Sequence, residues 1–111
     1  MSYPIALVRQ MVRHFADLAG YEGHVLITFD KSRFDRACRR YRLTPADDED
    51  YGETICSVPI PLVWVNTAAN TSFGRLSRTC AHEALHVARA DMPHGRAFDR
   101  AVTKMLRGIE P

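Results

Sequence analysis

The chain has 111 residues, 46% of them hydrophobic and 25% charged, the make-up of a soluble globular protein large enough for one domain with its own core, residues 1–111. No stretch approaches the roughly 18 consecutive apolar residues of a membrane span, which excludes a transmembrane role. The net charge of +2 conceals an uneven source, since 13 of the 15 basic residues are arginine.

Met1-Ser2-Tyr3-Pro4 places no basic region before an apolar run, so no signal peptide is expected. Cys38, Cys56 and Cys80 are an odd, scattered set, which predicts reduced thiols in a cytoplasmic protein rather than a disulfide frame. From Pro4 to Ala19 the residues Ile5, Val8, Met11, Val12, Phe15 and Leu18 recur at helical spacing, and Gly20 stops the run. Val25 to Phe29 is β-branched and aromatic, the pattern of a buried strand. Asp30 or Ser32 can then cap a helix with Phe34, Ala37, Cys38 and Tyr41 on its apolar face, ended by Pro45. Six basic residues between Lys31 and Arg42 lie outside that face, and Asp47-Asp48-Glu49-Asp50 follow in a loop where they can pair with them.

Thr54 to Val58 and Leu62 to Asn66 read as two further strands, and Pro59 and Pro61 between them favour an edge or a bend. A polar connection, Thr67 to Ser72, leads into a helix over about Phe73 to Ala90, and a last helix runs from about Gly95 to Arg107. The order predicts an α+β fold, with a small three-stranded sheet packed on the helix of residues 73–90 and helices at both ends of the chain.

That helix carries His82-Glu83-Ala84-Leu85-His86, the pattern H-E-x-x-H. Residues four apart on a helix lie about 40° apart around the axis, so both imidazoles leave one face. Glu83, about 60° from His86, is too far round to be a ligand and close enough to act as a base on water held by the metal. A catalytic zinc ion takes three protein ligands and keeps a fourth position open. His94 is the expected third ligand, one zinc ion per chain, although a continued helix would carry it roughly 12 Å beyond His86. Pro93 stops the helix and Gly95 allows a tight re-entry, so the chain can fold back. Asp99 and Glu110 are the rival third ligands, whereas Asp91 points about 140° away from His86. Cys80 faces the core, and His14 and His24 have no metal-like spacing.

His82-Glu83-Ala84-Leu85-His86 followed by His94-Gly95-Arg96-Ala97-Phe98 resembles the SprT-like zincin metallopeptidases, which include the Spartan-type proteases acting on DNA-crosslinked proteins. The resemblance spans about Leu62 to Leu106. It implies a zincin-like fold, His82, His86 and His94 as zinc ligands, Glu83 as catalytic base, and Phe98 as the aromatic that packs the last helix. It also implies a protein or peptide substrate laid along an edge strand, for which Trp64, Val65 and Asn66 are the candidates. Arg96 can steady a substrate carboxylate or a developing oxyanion. The three cysteines form no C-x-x-C pair, so a DNA-linked role does not follow from the protease core. An alternative reading is a binding module on a zincin scaffold. It would contact nucleic acid or a protein partner through the Lys31–Arg42 helix, with Arg36, Arg39 and Arg40 as the contacts.

Overall fold

The computed structural model describes residues 3–111; Met1 and Ser2, which open the segment read for a signal peptide, lie outside the described residues. Four successive apolar residues decide the layering. Leu62, Val63, Trp64 and Val65 form strand β3 (Leu62–Val65), and all four are buried. Alternate residues of a strand point to opposite faces, so a strand apolar at every position must be covered on both. β3 is accordingly the middle of a mixed sheet of order β1-β3-β2, with β1 (Leu26–Thr28) parallel to it and β2 (Gly52–Ile55) antiparallel.

This overturns the expectation that the segment around Trp64 is a free edge. The two prolines that suggested an edge lie in the turn before β3, where Pro61 accepts a hydrogen bond from the Leu26 amide through its carbonyl. Trp64 is 2% exposed and tilted against Phe34, and Val65 is fully buried. Asn66 spends its side-chain amide on the carbonyls of Asp48 and Asp50, at 2.9 and 2.8 Å, which ties the acidic loop to the end of β3. None of the three is placed to receive a substrate strand.

On one face of β3, Val63 and Val65 meet the main core. It is built from α1 (Ile5–Leu18), α3 (Phe73–Ala88) and α4 (Arg96–Leu106), with Val8, Val12, Leu76, Leu85, Phe98, Val102 and Met105 inside it. Burial of each large side chain here contributes about 1.5–3 kcal/mol of transfer free energy. On the other face, Leu62 and Trp64 join Ile55 and the two buried residues of α2 (Lys31–Arg40), Phe34 and Cys38, in a smaller cluster. The architecture is therefore α+β, four helices about a three-stranded mixed sheet among the described residues.

Local chemistry explains the boundaries. The Asp30 carboxylate caps α2 by accepting from the amides of Ser32 and Arg33, and Ser72 caps α3 by accepting from Arg75. α2 ends five residues before Pro45 because Arg42 enters the left-handed region at φ 58°. The Leu43 amide then bonds back to the Cys38 carbonyl at 2.8 Å and the Arg42 amide to that of Arg39, closing the helix as a Schellman motif. Tyr41, expected on the apolar face, falls past this end and is 39% exposed. β2 begins two residues earlier than its hydrophobic pattern suggests, at Gly52. A Cβ there would stand 2.8 Å from the Trp64 carbonyl oxygen of β3 and 3.2 Å from Thr79 Cγ2 of α3, so only glycine fits where the strand lies between them.

Candidate metal centre

α3 presents His82 and His86 on one face, as i,i+4 geometry requires. The chain then turns through Arg89 to Gly95 and returns His94 to them. His94 Nε2 lies 2.7 Å from His86 Nε2, which in turn is 3.2 Å from His82 Nε2. The return depends on Gly95, the residue before α4, whose φ of 153° with ψ of −167° is a conformation essentially reserved for glycine. Phe98, in the first turn of α4 and fully buried, sets its ring 4.6 to 5.2 Å from all three imidazoles and forms the floor on which they stand.

These three histidines lie close enough to hold a metal ion: one ring nitrogen of each falls within 4.8 Å of the others. Zn–N bonds of about 2.0–2.1 Å in tetrahedral geometry separate ligand nitrogens by roughly 3.3 Å, close to the His82–His86 spacing and slightly wider than the His86–His94 one. Protonation also suits a cation. Burial, reinforced by neighbouring positive charge, pushes His82 and His86 down to about 4, so both are neutral near pH 7 and offer lone pairs. The rival ligands Asp91, Asp99 and Glu110 are all exposed and are not part of the convergent group, although Asp99 is near enough for its charge to oppose the fall at His82.

Glu83 is 4% exposed, between the helix and β2. Thr54 of β2 donates its hydroxyl to Glu83 Oε1 at 2.9 Å and also approaches the Glu83 carbonyl at 3.4 Å. Burial pushes the Glu83 carboxyl up to about 8 against the opposing pull of the Thr54 hydrogen bond; a dication beside it lowers the value again. A cleft of about 260 Å³ opens in front, lined by His82, Glu83, His94, Glu53, Tyr51 and Arg75 among others. A second cleft of about 570 Å³ lies past His86 and runs along Glu53 to Ser57. Glu53 lines both, so the two meet along β2, whose outer edge pairs with no other strand among the described residues.

The predicted site is thus partly assembled and partly rearranged. His82, Glu83, His86 and His94 come together; Trp64, Val65 and Asn66 do not join them. Arg96 is exposed at the start of α4 and lines neither cleft. Arg36, Arg39 and Arg40 are exposed on α2, across the sheet from the histidines. Sequence reasoning missed Thr54, Glu53 and the Tyr51–Arg75 pair, in which the guanidinium stacks 4.0 Å from the ring centroid. Cys80 is fully buried and its thiol is pushed up to about 12 by burial, and all three cysteines are free. His14 and His24 are exposed, away from the cluster. No helix is long and apolar enough to cross a membrane. No family model, no curated protein sequence and no solved structure matches the chain.

Proposed function

We propose that the protein is a zinc metallopeptidase of the SprT-like kind, cleaving peptide bonds in a protein or peptide substrate. The observation that carries this reading is the convergence of three imidazoles beside a buried, hydrogen-bonded glutamate and a strand edge left unpaired among the described residues. His82, His86 and His94 would hold the ion. Three histidine ligands are the donor set of a catalytic zinc site with an open position, whereas structural zinc sites close with four ligands, commonly cysteines. When bound, zinc supplies a Lewis acid and lowers the pKa of water into the neutral range.

The remaining work falls to residues of the chain. Glu83, its carboxylate held by Thr54, takes the proton of the attacking water and returns it to the leaving amine. The substrate backbone adds to the outer edge of β2, between the two clefts, through main-chain hydrogen bonds. This assigns to β2 the role that the sequence pattern had given to the Trp64 segment.

Elemental mass spectrometry of the purified protein should find about one zinc per chain, lost or greatly weakened in His94→Ala. Glu83→Gln should keep the zinc and lose cleavage of an unfolded protein substrate by a factor of roughly 10² to 10⁴, the usual worth of a general base. Retained cleavage in that variant would defeat the mechanism, and a wild type that takes up no zinc would defeat the site.

A further inference from the structure

We propose that the shelf between α2 and the turn joining β2 to β3 is a docking groove for an acidic peptide segment carrying leucine-sized side chains. It lies on the face of the sheet opposite α3 and is independent of the peptidase reading. Leu26, Leu62 and Ile55 are paired in register across the three strands, forming one apolar row. α2 covers the inner part of that row, leaving Leu62 6% and Ile55 7% exposed, but it stops short of the end. There Leu26 at 45% and Ile60 at 40% remain open, and a groove of about 550 Å³ runs over them.

The rim identifies the occupant. Arg33, Arg36 and Arg40 line the groove, within about 60° of one another around the helix axis. The acidic loop does not neutralise them: Lys31 alone reaches it, bonding Asp48 at 3.3 Å and Asp35 on its own helix at 2.6 Å. No carboxylate lies within ion-pair distance of the three arginines among the described residues. A partner that buries the row must therefore bring apolar side chains for the floor and negative charge for the rim. The floor is aliphatic and offers nucleic-acid bases no plane to stack on, while the ring of Tyr41 already carries the Arg40 guanidinium at 5.8 Å. Those features favour a peptide over a nucleic acid.

A short fluorescein-labelled peptide with a pair of leucines among glutamates, titrated with the whole 111-residue chain at low salt, tests the groove by fluorescence anisotropy. Saturable binding is expected. Arg33→Ala combined with Arg40→Ala should weaken it roughly tenfold, the worth of two exposed charge contacts. Ile60→Asp, in an exposed turn, should weaken it comparably. Arg39→Ala combined with Arg42→Ala removes the same charge from elsewhere on the segment and should leave binding within about twofold of the wild type. An equal loss in both double variants would reduce the effect to net charge and overturn the proposal. So would an absence of saturable binding, or a single-stranded oligonucleotide that binds more tightly and responds to the same substitutions. Unchanged circular dichroism and thermal melting confirm that each variant is folded.

Discussion

On the α3 side of the sheet, Val63 and Val65 meet helices whose polar groups are engaged inward. Thr54 holds Glu83, Asn70 and Thr79 share a buried hydrogen bond of 2.6 Å, and the three imidazoles stand on Phe98. On the α2 side, Leu62 and Trp64 meet a helix that buries only Phe34 and Cys38 and turns its arginines to water. The same strand supplies both faces, yet one face supports a preorganised polar site and the other an open apolar shelf. Stability and chemistry are therefore separable here. Core residues on both sides should affect folding, and only those on the α3 side should affect the proposed metal site.

The largest effects should come from a matched pair of truncations. Phe98 and Phe34 are both fully buried, and removing either ring should cost about 3–5 kcal/mol, read as a loss of thermal or denaturant stability. The comparison lies in the metal. Phe98→Ala removes the surface against which all three imidazoles pack and should weaken zinc affinity at least tenfold, because ligand orientation is set by what surrounds the ligands. Phe34→Ala should leave zinc affinity within about twofold in the fraction that remains folded. Equal losses of affinity in the two variants, measured by competition with a chelating dye, would mean that the two faces are one cooperative unit.

A smaller effect is expected where β2 touches α3. Thr54→Val keeps the side-chain volume and removes the hydroxyl that donates to Glu83, a hydrogen bond worth about 1 kcal/mol. That bond holds the Glu83 carboxyl below the value burial alone would give. Its loss should raise the value further, move the acid limb of the cleavage profile to higher pH and slow cleavage up to about tenfold at neutral pH. Thr54→Ser should restore both, since it returns the donor. A reduced rate with an unmoved pH limb would assign Thr54 a purely structural part.

What could be read in the sequence divides along the same line. His82, Glu83 and His86 were legible because one helical turn fixes their relation, and His94 because Pro93 and Gly95 mark a stop and a return. Strand order was not, because pairing between strands is non-local and two prolines before Leu62 resemble an edge signal. The unbroken run Leu62–Val65 carried the better clue, since an edge strand with one wet face would alternate. Thr54 had no local signal at all: it is 29 residues from Glu83 and meets it only through the packing of sheet on helix. The arginines were legible in kind but not in grouping. Arg33, Arg36 and Arg40 share a helix face, while Arg39 lies about 120° round from Arg33 and lines no part of the groove.

The smallest effect sits on the outer strand beside the histidines, at Glu53. Glu53 lines both clefts, and burial pushes its carboxyl above the usual value of 4.5, with Asp50 adding to the rise and the Thr54 amide and His94 opposing it. A carboxyl whose folded value exceeds its unfolded one binds more protons in the folded state between the two. Its contribution is therefore fully present below pH of about 4.5 and is lost as pH rises through the folded value. At neutral pH the folded protein carries the cost of a half-buried charge. Glu53→Gln removes that cost and should raise stability modestly at pH 7, a gain that vanishes near pH 4. Thermal melts of the metal-free protein at the two pH values measure it directly. A loss of stability at pH 7 would instead mean that the Glu53 carboxylate is held by a partner across the clefts, with His94 the positive group that already acts on it.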